Sequence, residues 1–383
     1  MTEERTHDVV LLGATGFTGA LAAEYLARNA PAGTRWALAG RNRAKLEALR
    51  ERLELDVPLE HADVSDARSL EALARSARVV ISTVGPYLRY GEPLVAACAQ
   101  AGTDYVDLTG EPEFVDQMYL RHHATAVQSG ARLVHCCGFD SIPHDLGVQF
   151  AVEQLPEGVP LKVEGIVRAG GRPSGGTFYS ALTAFSRVRS YASVAGERRR
   201  SEPRPTTRQT HTASALPRRD SELGWILPLP TIDPQIVLRS ARALDRYGPD
   251  FTYGHYAAVK RLPVAVAAAG GVAGLFTLAQ LPPARRLLLS RLTPGDGPSA
   301  EQRARSWFNV RFVGSGGGQR VVVEVSGGDP GYDETAKMMC EAALCLAHDE
   351  LAPSAGQVTT AVAMGEPLRS RLQQAGIEFS VVG

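Results

Sequence analysis

Short apolar runs alternate with amphipathic stretches along the first 150 residues, and this alternation predicts a parallel sheet with helices on both faces. Val9–Leu12, Trp36–Ala39, His61–Val64, Val79–Val84, Tyr105–Leu108 and Arg132–Cys136 read as strands. Runs this continuously apolar are what strands buried on both sides require. Between them, Phe17, Leu21, Tyr25 and Leu26 mark one helical face, and Leu46, Leu49 and Leu53 another. Leu70 with Leu73, Leu94–Ala101 and Glu113–Ser129 supply further helices. The βαβα order predicts an α/β fold, a doubly wound parallel sheet of the Rossmann kind.

The pattern changes after Phe150. Leu161–Arg168, Ser306–Val313 and Arg320–Ser326 alternate apolar with polar, and Gly314–Gly318 between the last two reads as a hairpin loop. This predicts a second, α+β domain with a largely antiparallel sheet. The expected division is 1–148 for the nucleotide-binding domain and 149–330 for the substrate domain, with the nucleotide cleft facing it. The helices of 331–383 are expected to pack back on the first domain.

Two segments interrupt the middle region. Residues 197–220 are rich in Arg, Pro and Thr and read as a long exposed loop. Such a loop is either simply solvated or a basic patch for phosphate, an acidic carrier protein or anionic lipid. Residues 262–281 carry no charge, with Lys260-Arg261 before them and Arg285-Arg286 after. The first reading is a buried helix lining an apolar substrate cavity, the second a helix dipping into a membrane surface. A true span ranks last, because the chain beyond it rejoins the alternating strands.

Composition narrows the class. The 383 residues balance 41 Lys and Arg against 41 Asp and Glu, which gives no overall attraction to nucleic acid. The five cysteines show neither metal-ligand spacing nor a disulfide framework, as expected of a chain in a reducing cytoplasm. Met1–Asp8 is polar, unlike a secretory signal.

The chemistry begins at Gly13-Ala14-Thr15-Gly16-Phe17-Thr18-Gly19, between the first strand and the first helix. There, Gly13 permits a tight turn, Gly16 lets backbone approach a pyrophosphate, and Gly19 lets helix pack on strand. Thr15, Phe17 and Thr18 complete that candidate site. The second strand ends at Gly40-Arg41-Asn42, and no acid lies between Thr34 and Leu46. An acid at that position would accept from the ribose 2′-hydroxyl of NAD, whereas a guanidinium suits the 2′-phosphate of NADP. Arg41 with Asn42 therefore predicts NADP as cofactor. Asp63 is placed by the adenine, with a turn or capping role as the alternative, and Thr83, Val84 and Gly85 line the cofactor at the end of the fourth strand.

The Gly13–Gly19 turn, Ala39-Gly40-Arg41, Val84-Gly85-Pro86-Tyr87, Tyr105-Val106-Asp107-Leu108-Thr109-Gly110-Glu111 and Gly138-Phe139-Asp140-Ser141-Ile142-Pro143 together resemble saccharopine dehydrogenase-like oxidoreductases. Gly175-Gly176-Thr177 and Ala363–Leu368 extend the likeness to the trans-acting enoyl reductase branch. The resemblance implies NADPH and reduction of a carbon–carbon double bond in a polyketide or lipid acyl intermediate, often carried on another protein. Such a reaction needs a proton donor, for which Tyr87, His144 and Tyr179 are the candidates. Each also has a structural alternative: Tyr87 as cofactor wall, His144 as a first-turn helix residue, Tyr179 as core. Two other functions stay open, a saccharopine-type C–N dehydrogenase and a non-catalytic NADP-binding protein. A homodimer and peripheral membrane contact through 262–281 are further expectations, and no zinc site or Ser–His–Asp constellation is present in the sequence.

Overall fold

The structure is a computed structural model that describes residues 5–171, 175–203, 205–290 and 297–383. It divides into two compact units. The first holds residues up to Phe139 together with Tyr332–Ala375, and the second holds Asp140–Gly331 with Gly376–Gly383.

In chain order the first unit runs β1 His7–Leu12, α1 Phe17–Asn29, β2 Trp36–Gly40, α2 Arg43–Arg52, β3 Leu59–His61 and α3 Ala67–Ser76. It continues with β4 Ala77–Ser82, α4 Tyr87–Tyr90, α5 Glu92–Ala101, β5 Asp104–Asp107, α6 Pro112–Ser129 and β6 Arg132–Val134. The second unit takes over with α7 Ile142–Glu153, β7 Leu161–Gly170, α8 Gly175–Ser186, α9 Val188–Ser201, β8 Gln209–Thr212 and β9 Arg218–Asp220. Next come β10 Gly224–Pro228, α10 Asp233–Ala243, β11 Asp250–Val259, α11 Leu262–Gln280, α12 Pro282–Ser290 and α13 Ala300–Ala304. The hairpin β12 Trp307–Gly316 and β13 Gln319–Gly327 follows. The chain then returns to the first unit for α14 Asp333–His348, β14 Gly356–Val358, α15 Thr360–Ala363 and α16 Gly365–Gln374. It ends in the second unit with β15 Glu378–Val381.

The first sheet is parallel throughout, in the order β14-β6-β5-β4-β1-β2-β3. Its interior strand β1 is buried on both faces, with Val9, Val10, Leu11 and Leu12 all at 2% exposure or less. Val10 and Leu12 join a core with Leu70, Leu94, Val95 and Phe114. On alternate positions point Val9 and Leu11, and α14 packs against β1, β4, β5 and α1. The C-terminal helices thus cover the first sheet. The third strand lies a little earlier than the pattern suggested, because the Asp63 carboxylate turns the chain by accepting from the Ser65 N–H at 2.9 Å.

The second sheet follows the order β15-β13-β12-β7-β11-β10-β9, with β8 also on β11. β7 pairs with β11 in parallel and with β12 antiparallel, so the sheet is mixed but mostly antiparallel. Helix α7 packs on β7, β12 and β13, and α10 packs on β11 and α7. The chain enters this unit at Asp140, ahead of the expected boundary, so α7 belongs here and not to the nucleotide-binding unit.

Two expectations need correction. The arginine-rich segment is not one long loop: Arg198–Arg200 lie in the last turn of α9, and the short strands β8 and β9 break up the residues that follow. Arg198 is fully buried and pairs with Glu202 at 3.0 Å, where Arg239 and Arg242 also converge. Helix α11 does form, but it is not a buried wall of a cavity, since Val264 and Val266 are 52% and 63% exposed.

Candidate active site

The glycine turn is built around close approaches that a side chain would block. Gly13 has φ +89°, and a Cβ there would stand 2.5 Å from Thr83 Oγ1. A Cβ on Gly19 would stand 2.2 Å from the Gly13 carbonyl oxygen, so α1 presses directly on the turn. Gly16 differs: it is exposed, it sits at the N-cap of α1, and a Cβ there meets nothing nearer than 3.4 Å. No side chain caps that helix end. The turn therefore leaves open the one place where a phosphate needs room and a partial positive charge. Thr15 is exposed beside it, Thr18 is half-buried, and the Phe17 ring meets Tyr332 edge-on at 4.9 Å.

Arg41 is exposed where β2 ends. Its neighbours are committed elsewhere: Arg43 pairs with Glu47 at 2.9 Å, and the Asn42 side chain accepts from the Lys45 N–H to cap α2. Arg41 forms no ion pair within 4.0 Å among the described residues, which leaves its guanidinium available to a phosphate. Hydrogen bonds from Ser65 hold the Asp63 carboxyl below the usual range, with Arg41 adding to the effect. Its side chain thus serves the turn into α3. Thr83 is anchored to the end of β1, its hydroxyl donating to the Leu12 carbonyl at 3.1 Å. Val84 is half-buried and Gly85 is exposed next to it.

The motifs around Tyr87 and Glu111 form a buried scaffold. The Tyr87 hydroxyl donates to Ser82 O at 2.9 Å and accepts from Leu108 N–H at 3.3 Å. The Glu111 carboxylate accepts from the Tyr87 and Leu88 N–H groups at 3.0 and 2.9 Å, capping α4 from across the sheet end. Asp107 accepts from the Thr109 and Cys136 N–H groups and lies 2.7 Å from His135 Nδ1. Burial pushes the Tyr87 phenol far up, with the Asp107 charge adding to it. In this position the Tyr87 hydroxyl proton is committed to the Ser82 carbonyl inside the scaffold.

His144 stands in different surroundings, in the second unit. It lies in the first turn of α7, whose N-cap Ser141 holds φ +113°, a conformation strained for any residue but glycine. The Ser141 carbonyl accepts from the His144 and Asp145 N–H groups. His144 Nδ1 is 2.8 Å from Asp233 Oδ1, and His255 Nε2 is 3.4 Å from Asp233 Oδ2. The two imidazoles meet edge-on at 4.9 Å. Thr231 donates to Asp233, and the Tyr253 hydroxyl lies 3.0 Å from His255 Nδ1. All three members of the His–Asp–His group are buried.

Electrostatics sort the roles within this group. Burial raises the Asp233 carboxyl, but His144, then His255 and Thr231, outweigh it and hold the group ionised. Burial pushes His255 down to about 4, against the pull of Asp233, so it is neutral at neutral pH. A neutral His255 that turns Nε2–H toward Asp233 accepts from Tyr253 at Nδ1. Asp140 is pushed up to about 7 by burial and by the Asp233 charge. The cluster thus holds a carboxylate, a neutral imidazole and a carboxylic acid that keeps its proton to near neutrality. The three donor atoms would also suit a divalent cation, but the 2.8 Å between His144 and Asp233 is hydrogen-bond distance. Two ligands of a tetrahedral zinc, with bonds of about 2.0 Å, stay roughly 3.3 Å apart.

Sequence reasoning singled out His144 but not Asp233, His255, Tyr253 or Asp140 as its partners. The signal was there in β11: Tyr253 and His255 are two residues apart in an apolar strand and so share a face. Asp233, by contrast, reads from sequence as an ordinary first-turn acid before Pro234. Tyr179 lies half-buried on α8, on a different element from the cluster.

A doubly wound sheet carrying this turn, with arginine where an acid would select NAD, defines an NADP-dependent oxidoreductase. Residues 9–134 match the saccharopine dehydrogenase NADP-binding domain. A Mycobacterium tuberculosis protein assigned to the trans-acting enoyl reductases is 39% identical over 98% of this chain and 97% of its own. The trans-acting enoyl reductase of Mycobacterium ulcerans is 36% identical over 98% of each chain. The chain belongs to the trans-acting enoyl reductase family. Apo saccharopine dehydrogenase (L-Glu forming) from Saccharomyces cerevisiae shares the fold, with a TM-score of 0.59 at 12% identity, over 98% of this chain and all of that one.

Proposed function

We propose that the chain reduces the carbon–carbon double bond of an α,β-unsaturated acyl thioester, a polyketide or lipid intermediate presented by a carrier protein or partner synthase. The observation that carries this reading is full-length similarity to enzymes named trans-acting enoyl reductases. Gly13, Thr15, Gly16, Phe17, Thr18 and Gly19 would hold the pyrophosphate, Arg41 the 2′-phosphate, and Thr83, Val84 and Gly85 the nicotinamide half. NADPH, when bound, supplies the hydride for the β-carbon.

The chain must then deliver a proton to the α-carbon. The His144 cluster is suited to that task. Asp233 orients the His144 ring, while Asp140, whose carboxyl keeps its proton to near neutrality, carries a replacement proton. Tyr179 remains a second donor to test.

The test is NADPH oxidation with carrier-bound and free 2-enoyl thioesters in deuterium oxide. One deuterium from solvent should appear at the α-carbon. His144→Ala should lower kcat by at least about 100-fold, within the range for loss of a general acid, with NADPH affinity unchanged. Unchanged turnover in His144→Ala, together with loss in Tyr179→Phe, would move the proton donor to Tyr179. Absence of turnover on every enoyl thioester, with NADPH bound, would refute the reaction.

A further inference from the structure

We propose that α8, α11 and α12 form a platform by which this protein seats on an anionic lipid bilayer from one side, without spanning it. The inference is independent of the reaction assigned above.

Helix α11 is 19 residues long, uncharged, and apolar enough by length and composition to cross a membrane, yet only 12% of its apolar stretch is buried. Leu262, Val264, Val266, Val272, Phe276 and Leu278 are all exposed, and at 100° per residue they point to several sides of the helix. A helix apolar all round belongs in a protein core or in lipid, and this one is not in the core. It does rest on α8, where Phe185 meets Phe276 edge-on at 5.7 Å and Gln280 donates to the Phe185 carbonyl. Leu281, which caps the end of α11, and Leu287 within α12 are exposed as well.

Charge identifies the surface it fits. Residues 251–295 contain no Asp or Glu, but carry Lys260, Arg261, Arg285, Arg286 and Arg291. Residues 165–196, which include α8, likewise contain no acid and carry Arg168, Arg172, Arg187 and Arg189. In a chain whose acids and bases balance, α8 and α11, one from each acid-free stretch, pack together. Apolar side chains bordered by arginine match a bilayer with anionic headgroups. A second copy of the same face would instead bring like charges together.

The strand order excludes a span. β11 precedes α11 and β12 follows α12, and both strands pair with β7 over most of their length. Both ends of the excursion therefore return to one sheet on one side of the membrane. Interfacial insertion is what remains.

The experiment is flotation of the full-length protein with vesicles of phosphatidylcholine alone or with about one-third phosphatidylglycerol. Flotation with the anionic vesicles should exceed that with neutral ones by at least about tenfold and should weaken with salt. Val266→Glu should abolish flotation while NADPH affinity and thermal midpoint stay at the wild-type values. Arg285→Glu with Arg286→Glu should remove the anionic preference. Wild-type protein that floats with neither vesicle overturns the proposal, as does Val266→Glu protein that floats like wild type. Equal flotation with both vesicles overturns the anionic assignment. A dimer in light scattering that Val266→Glu dissociates, without flotation, assigns the face to self-association instead.

Discussion

Replacing Gly16 with alanine should separate cofactor binding from folding. Gly16 has φ −79° and ψ 169°, which alanine adopts freely, and its added Cβ would meet no atom nearer than 3.4 Å. Alanine is a poorer N-cap than glycine, by roughly 0.5–1 kcal/mol. The loss of unfolded-state freedom returns about 0.4–1 kcal/mol. The two terms nearly cancel, so stability should stay within about 1 kcal/mol of wild type. Binding should not: the methyl occupies the space where a phosphate must approach the backbone. A displacement of about 1 Å at such a contact costs on the order of 10–100-fold. Gly19→Ala is the contrast, because its Cβ would lie 2.2 Å from the Gly13 carbonyl oxygen. Carbon–oxygen contacts normally stay near 3.3 Å or beyond, so α1 must shift by about 1 Å. That overpacking should cost about 1–3 kcal/mol, with binding lost as well. Urea unfolding and NADPH fluorescence titration read the two quantities separately. Wild-type NADPH affinity in Gly16→Ala, or equal loss of stability in the two variants, would refute the assignment of the turn.

Arg41→Ala should weaken NADPH by about 10–100-fold, the worth of a charge-assisted hydrogen bond, and leave NADH nearly unchanged in the same titration. Tyr87→Phe removes the partner of both Ser82 O and Leu108 N–H, so urea unfolding should show a loss of about 1–3 kcal/mol, while kcat of the folded enzyme persists. The His144 cluster makes a pH prediction. His255 is depressed from 6.5 to about 4, so between those values the unfolded chain takes up a proton that the folded protein refuses, and stability falls on acidification. Asp140 is raised from 3.8 to about 7, so the folded protein keeps a proton the unfolded chain has released, and its contribution falls as pH rises. The two oppose each other over the shared window. Asp140→Asn should therefore lose stability on acidification more steeply than wild type, as followed by thermal melts across that range.

The fold was legible where one physical demand shaped a whole segment. Strands buried on both faces had to carry continuous apolar runs, and Val9–Leu12 of β1, Trp36–Ala39 of β2 and Val79–Ile81 of β4 show it. The turn was equally legible, because Gly13 and Gly19 answer steric demands that no other residue meets. What sequence could not reveal depended on partners far along the chain. Asp233 lies 89 positions beyond His144, and nothing local marks it as the group that holds that imidazole. Arg198 looked like one of a solvated run until Glu202, Arg239 and Arg242 placed it in a buried network. Tyr87 poses a related difficulty: the end of a parallel strand is where ligands bind, but it is also where scaffold hydrogen bonds must be closed. Helix α11 was read as interior because an apolar helix is usually interior, and only the packing shows otherwise.

The path of the chain between the two units has a consequence for biosynthesis. The second sheet ends on β15, which is made only after the chain has left that unit, completed α14 to α16, and come back. Until then β13 presents an open edge in which Val321, Val322, Val323 and Val325 are concentrated. An unpaired β-branched edge is a template for pairing between nascent chains. Yield of folded protein should thus be set by how quickly the last strand reaches that edge during synthesis, more than by the stability of either finished unit.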